Sequence, residues 1–462
     1  MAKASFKKVL LTLLRWSVAV VGIWWVVTNL NLHDHVRVLD PATQRPVEAR
    51  VLGAPVPPDD TWPLQVELPS GLVLKVSRDD VLTRPDNSHV YRGSDGAYLK
   101  LLALDQPPHA ASPGAPPPPR RLLVSVDSSS PGFFLRPDEV RMVGATAPGY
   151  RSEVEFPARE TGMIRMFAGA STDYLLLSLL VIPVIYLITG YRWWLLLRSL
   201  EISISLPRAL QVNAVGAFYN TFMPGSTGGD VLKAYYAAKL APAFRTRAVI
   251  SVIVDRIIGL IALILMGGFC ASMQWQVPQC RQVAIVAGFI IVATTVFVVV
   301  FGYRRLRNLL GLTWLLGKLP LQEKVDKATD ALRACKRRPV LMLAILAMSF
   351  PVHATIVVSA MFAGWAFHLP LYWTYYWVVV PTVVLSGALP ISPQGAGVME
   401  FFAILLTKPQ GATIAQAFAL TMSIRLVQIV WNLACGVLVL LGGYHAPTAE
   451  EEKELEGAAS AQ

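Results

Sequence analysis

The chain has 462 residues, 54% of them hydrophobic and 15% charged, with a net charge of +11. A soluble protein is excluded, because several uncharged runs reach the roughly 18 residues that a membrane-crossing helix needs. The positive charge does not point to nucleic acid either. Residues 33–165 hold 15 Lys and Arg against 17 Asp and Glu, while the rest of the chain holds 26 against 13, mostly in short connections between apolar runs. That is how cytoplasmic loops are charged under the positive-inside rule, and no folded domain presents a basic face.

In chain order, Lys3, Lys7, Lys8 and Arg15 precede the uncharged segment Trp16–Leu30, and no small-residue cleavage site follows. Residues 1–32 therefore read as an uncleaved signal-anchor helix with its N-terminus in the cytoplasm. Residues 33–170 are a different material. The alternating runs Trp62–Leu68, Leu72–Val76, Tyr98–Leu104 and Leu122–Val126 predict strands, bounded by turn signals and the proline tract 107–119. We expect a small β-rich extracytoplasmic domain with a proline-rich insert, placed after the first transmembrane helix. His33-Asp34-His35, Asp59-Asp60 and Asp79-Asp80 have a metal-binding look, with solvated turns as the plainer reading.

Residues 171–445 predict an all-α polytopic membrane core. Tyr174–Tyr191 is uncharged for 18 residues, Ile257–Cys280 for 24, Gln282–Tyr303 for 22 and Leu369–Met399 for 31. Pro207–Met223 is apolar but carries Gln211, Asn213 and Asn220, and ends in Pro224-Gly225-Ser226-Thr227-Gly228-Gly229-Asp230. Val231–Leu240 follows with Lys233 and Lys239, and then Arg245 and Arg247. Basic flanks on both sides predict a hairpin that enters and leaves on one membrane face; broken backbone survives at that depth only inside protein or beside a cavity. Ala248–Ala271 then goes outward and Gln282–Tyr303 returns. Residues 304–338, with ten Lys and Arg against three Asp and Glu, read as cytoplasmic. Pro339–Phe367 goes outward, and Leu369–Leu389 re-enters and breaks at Pro390–Gly397. Val398–Leu406 is too short to cross at about 1.5 Å per residue. Thr413–Tyr444 is the last span, before an acidic tail, 446–462, expected to be disordered. Cys270 and Cys280 flank a short loop expected outside, where a disulfide and two idle thiols are both open.

The two breaks share a spacing. Gly225 precedes Asp230 by five residues, and Gly395 precedes Glu400 by five; Asp230 precedes Arg256 by 26, and Glu400 precedes Arg425 by 25. Each half reads as a helix, a hairpin broken at Pro and Gly, an acidic residue opening a helix, and a helix with an intramembrane Arg. The expected topology gives the halves opposite orientations, so we expect an inverted repeat with two re-entrant hairpins, a pointer to a transporter's midplane site.

Asn220, Pro224, Gly225, Gly228, Gly229 and Asp230, then Asp255-Arg256, then Pro390, Pro393, Gly395, Gly397 and Glu400 occur in an order that resembles the flippase-like membrane domain of lysylphosphatidylglycerol synthases and their stand-alone relatives. The resemblance covers roughly residues 172–443 and implies a multi-pass fold with re-entrant helices that translocates lipids. No counterpart of the synthases' aminoacyltransferase domain is expected in these residues, and the 33–165 insertion is not part of the family core.

An Arg at membrane depth is costly and should face protein, water or an anion. Arg256 and Arg425 read either as a phosphate-binding pair or as internal ion pairs with Asp230 and Glu400. Gly225–Gly229 places backbone N–H groups at a helix start that favours anions, unless Asp230 caps it. Together with Asp255, these residues are the candidate transport site. No cofactor, metal site, Gly-x-Ser-x-Gly or phosphate-binding loop is expected. The reading is a plasma-membrane lipid flippase whose partners are the bilayer and a lipid or lipid-linked substrate. A membrane glycosyl- or phosphotransferase using a lipid-linked donor is the enzyme alternative, and an envelope scaffold is the third.

Overall fold

The structure is a computed structural model. It describes residues 17, 20–25, 28, 30–43, 45–53, 63–77, 80–83, 90–93, 98–105, 122–125, 133–135, 140–142, 159–160, 162–222, 228–302, 339–388, 392, 395–442 and 444. Pro224, Gly225, Pro390, Pro393, Asp59, Asp60, Asp79, the proline tract, the basic stretch 304–338 and the tail 446–462 lie outside the described residues.

Eleven strands are described before the helices, in two antiparallel sheets. The first joins β1 (His35–Leu39), β2 (Pro46–Leu52), β3 (Leu64–Glu67), β4 (Val73–Val76) and β11 (Arg159–Glu160) in the order β11-β1-β2-β3-β4. The second joins β5 (Leu82–Thr83), β6 (Val90–Gly93), β7 (Tyr98–Asp105), β8 (Leu122–Ser125), β9 (Phe133–Leu135) and β10 (Val140–Met142). Four of these match the strands expected from alternation. In β1, Val36 and Val38 are buried while their neighbours are partly exposed, the period-two signature of a half-buried strand. They pack with Ala49, Val66 and Val81 in a small core. Arg165 on the first short helix, α1 (Met163–Ala168), binds Asp34 at 2.8 Å, and Asp34 also accepts from Gly162 N at 2.8 Å. Chain entry to the sheets and chain exit are thus stapled together. Asp34 serves that staple, and His35 Nδ1 lies 2.7 Å from the His33 carbonyl.

The helical part follows the expected elements to within a few residues. It comprises α2 (Thr172–Val181), α3 (Pro183–Ser199), α4 (Leu206–Phe222), α5 (Gly228–Leu240), α6 (Arg245–Met273), α7 (Pro278–Gly302), α8 (Pro339–Ala366), α9 (Trp373–Ala388), α10 (Val398–Thr407) and α11 (Ile414–Gly442). Five continuous or near-continuous helical stretches among the described residues are long and apolar enough to cross a membrane: Thr172–Ser199, Pro242–Met273, Pro278–Val300, Pro339–Ala366 and Ile414–Gly442. The protein is a multi-pass membrane protein. One detail was not expected: the first of these spans is interrupted at Ile182, where Pro183 supplies no N–H and restarts the helix.

α4 and α5 are separate helices, as are α9 and α10, so neither expected hairpin segment is one continuous rod. α4 packs against α3, α5 and α11, while α10 packs against α9 and α11. Two buried apolar clusters result. One gathers Trp193, Leu196, Val212, Leu232 and Val252 from α3–α6. The other gathers Met266, Tyr376, Val379, Ala403 and Leu420 from α6 and α9–α11. Polar pairs tie helices together within the apolar spans, including Ser178 Oγ to Ser359 Oγ at 3.0 Å and Trp193 Nε1 to Ser251 Oγ at 3.1 Å. In lipid, where water offers no competing partner, such bonds substitute for part of the hydrophobic driving force.

Candidate functional site

A cavity of about 420 Å³ opens between the two helix groups. Its size falls in the roughly 300–1,000 Å³ range of ligand cavities. α3 contributes Tyr186, Thr189 and Arg192; α4 contributes Asn213 and Asn220; α5 contributes Gly229, Asp230 and Lys233. Asp255 and Arg256 come from α6, and Arg425, Gln428 and Asn432 from α11. The helix breaks are what let these polar groups meet, because each break ends a helix beside the cavity.

At the first break, Gly229 N donates to Asn220 Oδ1 at 2.8 Å, so the preceding helix caps the start of α5. Asn220, rather than the Asp230 left open as a possible cap, takes this amide. Relieved of that duty, the Asp230 carboxylate binds the Arg256 guanidinium, with both side chains 29% exposed. The approach of α4 and α5 is close enough that a Cβ on Gly229 would collide with the Gly216 carbonyl. Glycine at 229 is therefore a packing requirement.

At the second break, Gly395 and Gly397 hold φ of +71° and +80°, which L side chains rarely adopt. Gly397 N donates to Glu400 Oε2 at 2.7 Å. Arg425 lies 2.7 Å from Glu400 Oε1, and its Nη2 donates to Glu400 Oε2 at 3.1 Å and to the Gly395 carbonyl at 3.0 Å. Glu400 thus caps its own helix and holds the arginine in one gesture. Its side chain is 3% exposed, against 16% for Arg425. The helical residues 20–25 abut this break: a Cβ on Gly22 would stand 2.7 Å from Gly397 Cα, and the rings of Trp25 and Phe401 meet edge to face at 6.5 Å.

Asp255 stands apart from both pairs. Its Oδ1 accepts from Arg192 Nε at 2.9 Å, and its Oδ2 lies 3.2 Å from Lys233 Nζ. Lys233 also donates to Asn213 Oδ1 at 3.1 Å and sits 4.4 Å from the centre of the Trp193 ring. Arg192 Nη1 donates to Ser349 Oγ at 2.7 Å. Arg192 and Lys233 are each 5% exposed. Lys233, read from the sequence as part of a basic flank, is with Arg192 a buried cation on one carboxylate.

Of the expected site residues, Asn220, Gly229, Asp230, Asp255, Arg256 and Arg425 line this cavity. Glu400 and Gly395 reach it through Arg425, and Gly397 through Glu400. Gly228 opens α5, and Pro224, Gly225 and Pro393 lie outside the described residues. Arg192, Lys233, Asn213 and Tyr186 were missed. Cys270 and Cys280, the expected candidates for a disulfide, both carry free thiols. A second cavity, of about 450 Å³, lies among α6, α7, α9 and α10. Among the described residues no charged side chain lines it, so it offers a charged headgroup no ion pair.

Over residues 161–436 the chain matches the model of the lysylphosphatidylglycerol synthase TM region. It is also similar to the UPF0104 membrane protein PH1989 of Pyrococcus horikoshii, at 23% identity over 301 residues, which span 60% of this chain and 89% of that protein. With its matched region running from α1 nearly to the end of α11, the chain belongs to the lysylphosphatidylglycerol synthase TM region family.

Proposed function

We propose that this protein moves a lipid or lipid-linked molecule across the plasma membrane, with its phosphate-bearing headgroup passing through the α3–α6/α8–α11 cavity. The observation that carries this reading is the gathering of Arg256 and Arg425, from the two broken-helix halves, into one cavity together with Arg192 and Lys233. Four cations line it against Asp230 and Asp255. Burying so much like charge disfavours an apolar or cationic cargo and favours an anion. Guanidinium groups suit phosphate because their planar fork donates two parallel hydrogen bonds.

The matching carboxylate–arginine pairs at the two breaks support an inverted repeat, and the short α5 and α10 support re-entrant hairpins. On this reading, Arg256 and Arg425 hold phosphate alternately, and Asp230 and Glu400 take them back on release. The tail remains in lipid. The N-terminus and tail face the cytoplasm, and residues 33–165 lie outside. A cysteine placed at Ser460 should then resist impermeant thiol reagents in intact cells, and labelling there would reverse the orientation.

The deciding test uses proteoliposomes containing a fluorescent phospholipid and a membrane-impermeant quencher. Wild-type protein should expose inner-leaflet probe to the quencher, and Arg256→Gln with Arg425→Gln should not. Rates equal to those of protein-free liposomes would remove the reading.

A further inference from the structure

The charges around the cavity do not balance locally. Arg256 is matched by Asp230, and Arg425 by Glu400. Asp255 forms the ion pair with both Arg192 and Lys233, and Asp230 acts on Lys233 only from a distance. Counting Arg192, Lys233, Arg256 and Arg425 against Asp230, Asp255 and Glu400 leaves one positive charge, located where two cations share a carboxylate. That charge is buried, and a buried charge without a counter-charge is costly unless an anion or water reaches it. Both cations line the cavity, and Lys233 is the one whose helix also carries Asp230. It lines the cavity and lies one helical turn beyond Asp230 on α5. Arg192 donates to the Asp255 carboxylate and to Ser349 from the other side, and lies on α3, away from the Asp230–Arg256 pair.

We propose that Lys233 is the resting anchor for the headgroup phosphate, with Arg192 as the positioning residue that keeps Asp255 from neutralising it. This rests on the transport reading and deepens it: the phosphate docks first at Lys233, before either arginine leaves its carboxylate. The bound phosphate carries at least one negative charge, which completes the balance of the cavity. Its entry beside Asp230 then sets carboxylate against phosphate and favours the release of Arg256 toward the substrate.

The same arithmetic makes the test clean. Removing Lys233 or Arg192 leaves Asp255 with one cation, a neutral pair, so Lys233→Gln should fold: its amide can still donate to Asp255 and Asn213. Binding is measured with the full chain in phosphatidylcholine nanodiscs, using a fluorescent short-chain phosphatidylglycerol as probe, with thermal unfolding alongside. Lys233→Gln should weaken binding about 10- to 100-fold, the loss of one charge-assisted hydrogen bond. Lys233→Arg should keep most of the affinity. A folded Lys233→Gln that binds as tightly as wild type overturns the anchor. Should that variant not fold, Arg192→Gln decides: it removes the same surplus charge, and undiminished binding overturns the proposal equally. Inorganic phosphate competition separates the two readings. If phosphate displaces the probe from wild type and not from Lys233→Gln, the anchor stands even where proteoliposomes show no lipid movement. A wild type that binds neither probe nor phosphate overturns both.

Discussion

Asp230 with Arg256 and Glu400 with Arg425 have the same chemistry and nearly the same spacing, yet they live in different surroundings. At the first break, Asn220 caps the helix and the acid pairs with its arginine, each side chain 29% exposed. At the second, Glu400 is 3% exposed and divides itself between the Gly397 amide and Arg425, which also reaches the Gly395 carbonyl. One carboxylate is partly exposed and pairs with its arginine; the other is fastened into the backbone turn it supports. Equal sequence spacing therefore conceals unequal freedom. The first pair is the more exposed of the two, and the second is the more firmly held.

The comparison is most easily broken at Glu400. Replacing it by Gln strands the Arg425 cation in a buried place, which costs about 3–5 kcal/mol when one partner of a buried pair is lost. A fall in the thermal midpoint in detergent should report this. Arg425→Gln together with Glu400→Gln should recover most of the loss, because neither member of this pair is then left charged. A single variant as stable as wild type would mean that the second pair is no more structural than the first.

Next in size is Gly397→Ala. Its φ of +80° is strained for any side chain, and the new methyl would stand 2.7 Å from Gly22 Cα. Strain of this type and overpacking each cost about 1–3 kcal/mol. The N-terminal helix should yield first, so limited proteolysis near residue 22 should accelerate before the core unfolds. Arg256→Gln comes third on the stability scale, at about 1 kcal/mol or less, since water screens a partly exposed pair. Its effect on lipid movement should be large despite that. A stable, inactive Arg256→Gln beside an unstable Arg425→Gln would sharpen the contrast between the halves; equal behaviour in both assays would erase it.

Helix positions were largely legible because apolar runs and their Pro and Gly punctuation are local signals. Arg245–Met273 runs a few residues beyond the expected Ala248–Ala271, and Ile414–Gly442 stops a residue or two short of the expected Thr413–Tyr444 at each end. The two carboxylate–arginine pairs were legible as one of two options, because an intramembrane Arg demands a partner and the break supplied an acid at a fixed distance. Arg192 and Lys233 were not. Charge counting treats a basic residue beside an apolar run as a loop marker, and that is usually where such residues lie. What buries them is Asp255, 63 and 22 residues away along the chain. No local pattern encodes that meeting; only the folding of α3, α5 and α6 around one point brings it about. The sheets show the same limit: strands of two to four residues, such as Leu82–Thr83, are defined by their neighbours more than by their own alternation.

The smallest effect should come from Asn220, and it bears directly on why Asp230 does not cap its own helix. Asn220→Ala removes the acceptor for Gly229 N–H, a cap whose loss costs about 1 kcal/mol. An uncapped amide next to Asp230 is an invitation: the carboxylate can turn back to accept from it, as Glu400 does for Gly397. The first break would then imitate the second. Arg256 would share its acid with the backbone, and lipid movement should slow by more than the stability loss explains. Asn220→Asp separates the two effects, because it restores the acceptor while adding a negative charge near Asp230 and Arg256. It should be nearly as stable as wild type, and it should also be slow, since a second carboxylate competes with phosphate for the same guanidinium. If Asn220→Ala transports at the wild-type rate with only the expected loss of stability, then capping does not set the freedom of Asp230. The difference between the two breaks would then have to lie in their contact with water.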